Sequence, residues 1–197
     1  MMWLALANGA GTGILHSQIA NKERCSMNLK PQDVVVALGA VLKPPAISTY
    51  LDRAMQLGMS VSEVHAADKR LKSAGLMAEG RPITAALEEF LVHGLRYVFV
   101  PELGAVVRGT PTAHAGPGLS ALIHDGDLPP VWPDPEGNVR GISFSPLYRS
   151  VPEAARRDHD LHELLALVDA LRGGRARERK LAAEMLHEHL SRGMSAA

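Results

Sequence analysis

A chain of 197 residues with 46% apolar and 21% charged side chains is long and apolar enough to bury a core in one domain or one and a half. Its formal net charge of zero excludes a global electrostatic pull toward nucleic acid or anionic membrane, and aromatics at 4% leave the core to aliphatic side chains. A single cysteine, Cys25, excludes an intrachain disulfide or thiolate metal cluster and fits a reducing cytosol, and no apolar run approaches the ~20 residues of a membrane helix.

The chain begins MMWLALANGAGTG, an apolar patch with no basic residue ahead of it and so a poor secretory leader. NGAGTG at 8–13 lacks the GK[ST] ending of a phosphate loop. Regular patterning starts at Met27, which marks 1–26 as an upstream extension with little order expected. KPQDVVVALGAVL then predicts an apolar helix with proline at its start, broken by KPPA. ISTYLDRAMQLG predicts a second helix, capped by Ser48 or Thr49 and closed at Gly58. VSEVHAADKRLKSAG follows as a third, with Ser60 and Glu63 in capping-box spacing and Gly75 as its stop.

TAALEEFLVHG predicts a helix ending at Gly94. RYVFV and AVVRG, separated by PELG, predict a β-hairpin over 96–109. Proline and glycine make up 12 of the 40 residues 111–150, which marks an extended segment. Within it VWPDPEGNVRGISF predicts a second hairpin turning at Glu136-Gly137-Asn138. The C-terminal part predicts two helices broken at Gly173-Gly174. The chain thus divides into 1–26, 27–110, 111–150 and 151–197.

At 100° per residue, Val64, Ala67 and Leu71 of the third helix share one narrow stripe that should face the core. Ser62, His65, Lys69 and Lys72 fall opposite, with Ala66 and Ser73 beside them and the acids Glu63 and Asp68 on the flanks. About three residues separate this helix from the one before, the spacing of a helix-turn-helix. Here the chain resembles winged helix-turn-helix regulators of the MarR-like group, on Leu57, Gly58, Ser60, Ser62, Val64, Arg70, Leu71, Ala74, Gly75 and Leu76. The resemblance covers about residues 28–80 and implies a β-hairpin wing after Leu76. Either a minimal wing forms around Ala78-Glu79-Gly80-Arg81, or the hairpin over 96–109 serves. The later layout, RGTPTAHAG, VWPDPEG and paired terminal helices, is similar to a bacterial group of such proteins encoded beside toxin or defence genes, which implies a protein partner encoded nearby.

The expected fold is therefore mainly α with small β-hairpins: a winged helix-turn-helix domain followed by a C-terminal helical hairpin. The expected function is a cytoplasmic, homodimeric, sequence-specific repressor of its own operon that binds double-stranded DNA. Ser62, His65, Ala66 and Lys69 would read the major groove, while Ser60, Arg70, Lys72 and Arg81 would hold phosphates. His65 is equally an ordinary surface histidine. The alternative is an adaptor or antitoxin that uses a winged helix without DNA affinity.

Neither an enzyme, a cofactor nor a metal is expected. His159, His162 and Glu163 share a helix face but no HExxH is present, and HEH at 187–189 splays apart. His124, Asp125 and Asp127 in HDGD read equally as turn chemistry. The apolar residues Leu161, Leu164, Leu165, Val168, Leu171, Leu181, Met185 and Leu186 of the terminal helices would either build a dimer or pack on the chain's own core.

Overall fold

The computed structural model describes residues 28–43, 48–123, 126 and 128–195. Cys25, NGAGTG, HDGD with His124, Asp125 and Asp127, and the extension 1–26 fall wholly or mainly outside them. The described chain is mainly helical with two small sheets.

Helix α1, Pro31–Leu42, starts on a proline whose missing N–H costs nothing at that position, and it buries Val34, Val35, Val36, Ala37 and Leu38 together. An apolar helix buried almost all round is the hub of a helical domain, and α1 packs against α2, Tyr50–Leu57, and α3, Val61–Ser73. Thr49 caps α2 by accepting from the Asp52 backbone N–H, and Gly58 ends it in the left-handed region at φ 62°. Residues 58–60 form the link to α3. Strands β1, Met77–Ala78, and β2, Arg81–Pro82, make a two-residue antiparallel hairpin in the register Met77↔Pro82 and Ala78↔Arg81. Glu79 at φ 51° and Gly80 at φ 78° put positive φ at both central positions, the requirement of a tight turn that follows strand twist.

The predicted hairpin over 96–109 does not form. Helix α4, Thr84–Glu89, does not stop at Gly94 but runs through a π turn, Phe90–Gly94, into α5, Leu95–Val98. Leu87, Leu91 and Leu95 recur every fourth residue and are all buried, so one apolar stripe carries the helix past the glycine. That burial outweighs the β-propensity of Tyr97 and Val98, both exposed.

AVVRG instead lies in β3, Leu103–Pro111, which pairs antiparallel with both β4, Pro130–Pro133, and β5, Val139–Phe144. The hairpin expected to turn at Glu136-Gly137-Asn138 is corrected likewise: β4 and β5 flank β3, run parallel to each other and close a three-stranded barrel. Gly109 pairs with Pro133 on one side and Val139 on the other, so the connecting loop must cross it. A Cβ on Gly137 would come 2.2 Å from the Gly109 carbonyl carbon, so only glycine fits.

Three helices follow rather than two. Asp158 ends α6, Val151–Arg157, and caps α7, His159–Gly173, by accepting from the Leu161 N–H at 3.1 Å. Helix α8, Ala176–Ser195, packs back on α7. Leu161, Leu164, Leu165, Val168, Leu171 and Leu186 are buried in the chain's own core, with Leu181 and Met185 packed against it. A single apolar core takes residues from Val34 to Leu190. No helix among the described residues is long and apolar enough to cross a membrane.

Candidate nucleic-acid interface

Helix α3 is set at its N-terminus by a reciprocal cap. The Ser60 hydroxyl accepts from the Glu63 N–H at 3.2 Å, and the Glu63 carboxylate accepts from the Ser60 N–H at 3.0 Å. Glu63 also accepts a hydrogen bond from the Tyr148 hydroxyl, 85 residues away in sequence. Tyr148, then the Ser60 backbone and hydroxyl, push the Glu63 carboxyl down to about 2. The same segment grips the preceding turn: the Ser150 hydroxyl donates to the Leu57 carbonyl, one of the otherwise unpaired groups at the end of α2. A Cβ on Gly58 would stand 3.0 Å from the Ser150 Cβ, so the turn and its brace are in close contact.

Val64, Ala67 and Leu71 are buried, as their spacing requires. Ser62, His65, Lys69, Lys72 and Ser73 are exposed on the other side, and Ala66 is half-buried. The His65 ring lies edge-on to Tyr50 with centroids 5.4 Å apart, which limits its swing. Asp68 is buried rather than flanking: it accepts from the Tyr50 hydroxyl at 2.8 Å and pairs with Lys72 at 2.7 Å. Lys72 is therefore a tethered cation whose ammonium still reaches solvent, and Asp68 raises its pKa.

Two of the eight residues expected at the interface are occupied elsewhere. Arg70 gives both arms of its guanidinium to the buried Asp33 of α1, Nε to Oδ2 at 2.7 Å and Nη2 to Oδ1 at 2.5 Å. Asp33 also accepts from the Lys30 N–H at 2.9 Å. This bidentate pair ties α3 to α1 and takes Arg70 away from any phosphate. The Ser60 hydroxyl is held in the cap. Arg81 stands exposed on the hairpin one residue from its turn, beside the exposed Glu79.

Arg149 was not foreseen. It is exposed, follows Tyr148 directly, and its guanidinium carbon lies 5.7 Å from that ring, close enough to Glu63 to help lower its pKa. Only the fold brings it to the start of α3, so no local pattern announces it. Lys69, Lys72, Arg81 and Arg149 are exposed cations on α3, the β1–β2 hairpin and the segment that braces the turn.

Of the clustered histidines, His162, His187 and His189 make contacts within the chain and His159 is exposed. His162 Nε2 sits 2.8 Å from the Pro111 carbonyl, which can only accept, so that nitrogen carries the proton. Burial pushes the His162 pKa down. Glu163 faces His189 at 3.2 Å, and His187 faces Glu88 at 3.0 Å. Among the described residues, no group of three or more His, Cys, Asp or Glu side chains can hold a metal. No protein-family model, curated protein or solved structure matches the chain.

Proposed function

We propose that the protein is a winged helix-turn-helix DNA-binding regulator that represses its own operon. Helix α3 lies in the major groove and the β1–β2 hairpin serves as a minimal wing. The observation that carries this reading is the outward face of α3. Ser62, His65 and Lys69 stand exposed there, while both acids of the helix are drawn off that face, Glu63 into the cap and Asp68 into the core. A duplex repels carboxylates and attracts cations, so a face cleared of acids suits a groove. Ser62, His65, Ala66 and Lys69 face the bases, and Lys72, Arg81 and Arg149 face phosphates.

Three cations on phosphates neutralise little of the duplex charge, so one copy binds weakly and two copies on a palindrome are required. The test is fluorescence anisotropy with DNA from upstream of the gene across a salt series. Each lost phosphate contact flattens the log–log salt slope by about 0.9 per subunit. Replacing Lys69 and Lys72 together by Ala should weaken binding and flatten the slope; an unchanged slope would sink the docking model.

A second reading, an adaptor or antitoxin that binds a protein partner, draws on a different observation. Tyr97, Val100 and Leu103 are 73%, 68% and 68% exposed, and Val98 beside them is also exposed, an apolar surface at the α5–β3 corner. Co-expression with the neighbouring gene product and size exclusion separates the two: a stable complex without DNA affinity favours the adaptor.

A further inference from the structure

The chain leaves α5 at Val98 and enters β3 at Leu103, and the corner between them is pinned from inside. Arg172 Nε donates to the Phe99 carbonyl at 2.9 Å. The Glu102 N–H donates to the Ser145 hydroxyl at 2.8 Å, and the Ser145 N–H donates back to the Glu102 carbonyl at 3.0 Å. Phe99 packs against the core, while Tyr97, Val98, Val100 and Leu103 on either side of it stand exposed. A backbone held in this way offers its apolar side chains with little left to order on contact. Two charges flank them, Arg96 on α5 and the exposed Glu102 just before β3. The Arg96 guanidinium carbon lies 5.1 Å from the Tyr97 ring. Among the described residues neither Arg96 nor Glu102 has an ion-pair partner.

We infer that this corner is where two copies of the chain meet, across a two-fold axis that sets Arg96 of each copy against Glu102 of the other. Exposed apolar side chains alone would suit any apolar partner; the charges single out a second copy. A two-fold contact presents the same patch from both sides, so residue i meets j and j meets i. Residues 96–102 read Arg-Tyr-Val-Phe-Val-Pro-Glu, with a cation at one end, an acid at the other and apolar side chains between. Turned about its middle, the segment is its own electrostatic complement. The area agrees. Four such side chains expose on the order of 400 Å², the size of the main apolar patch on a typical monomer and about half of what each partner gives to a standard interface. The pair is therefore weak in solution. Its use on DNA, where two half-sites hold both copies together, rests on the groove-binding reading.

Sedimentation equilibrium of the full chain without DNA tests the contact apart from that reading. The parent should pass from monomer to dimer over about 2–200 µM. Val100→Asp, at an exposed position, should keep the parent's melting temperature and weaken the dimer at least about tenfold. Arg96→Glu and Glu102→Arg should each weaken it about fivefold, because like charges then face one another, and the double variant should recover the parent's affinity. A folded monomer throughout the range, a dimer indifferent to Val100→Asp, or a double variant no tighter than its singles would each overturn the proposal. So would a parent that stays monomeric and binds the neighbouring gene product at this corner. A dimer that forms as expected but gives no shift with upstream DNA would support the contact and sink only the groove-binding reading.

Discussion

Around α2 and α3 the helix caps and one ion pair join near neighbours: Thr49 with Asp52, Ser60 with Glu63, Asp68 with Lys72. Around the barrel they join strangers. Buried Asp169 of α7 accepts from the Thr112 hydroxyl at 2.9 Å, the Trp132 indole N–H at 2.6 Å and Arg172 at 2.6 Å, while Arg172 donates onward to the Phe99 carbonyl. Burial pushes the Asp169 carboxyl up, against the pull of Arg172 and the other donors. Asp134 likewise gathers the Thr110 hydroxyl and Arg156. The caps of the first region are exposed and specified by local spacing; the Asp169 cluster of the second is buried, and long-range polar contacts join the strands to α6 and α7. In the first, a lost partner is replaced by water. In the second it is not.

That contrast sets the size of each expected effect. Asp169→Ala leaves a buried guanidinium with its charge unpaired and two donors bare, and should cost about 3–5 kcal/mol in urea unfolding. Asp33→Ala removes the corresponding partner of Arg70, but the Arg70 side chain is 13% exposed and can turn outward, so about 2 kcal/mol is expected. Equal losses in the two variants would erase the distinction. Ser60→Ala removes the α3 cap and should cost about 1 kcal/mol, with hydrogen exchange quickening first at the N-terminus of α3.

Tyr148→Phe sharpens the comparison, because it cuts a long-range bond that reaches the start of α3. The folded pKa of Glu63 lies below its unfolded value of 4.5, at about 2. Its stabilisation is therefore fully present above the unfolded value and is lost as pH falls from there toward the folded one. Part of that depression comes from Tyr148, so the parent should exceed Tyr148→Phe by a constant, small margin at neutral pH. The margin should shrink between about pH 4.5 and 2 as Glu63 is protonated. A margin independent of pH down to 2 would mean that the hydroxyl acts through something other than the carboxylate.

The same division explains what could be read in the chain. Ser60-x-x-Glu63, Thr49, Gly58 and Gly75 are local signals, and each acts on backbone within four residues, so the ends of α2 and α3 and the inward stripe Val64–Ala67–Leu71 were legible. Tyr97 and Val98 look like a strand because intrinsic preference is local too; what decides them is Leu95, buried in a core assembled from the whole chain. VWP and VRGISF were recognisable as strands, but their partner was not, since a third strand must arrive from residues 103–111 to separate them. Arg70 was legible as a cation on α3. Its commitment to Asp33, 37 residues earlier, depends on how α1 crosses α3. Arg149 was hidden for the same reason.

The closed barrel has a bearing on self-association. An open sheet presents a row of unpaired backbone groups to which another molecule can add a strand. Here each of β3, β4 and β5 is bonded to both of the others, and the β1–β2 hairpin has only two residues on each side. Among the described residues the closed sheet leaves no strand with a wholly free edge, so a contact between two copies at Tyr97 and Val100 would be made by side chains. Such a contact can be undone by a single charged substitution that leaves the fold of each copy intact, which makes pairing a property to be switched off without unfolding the protein.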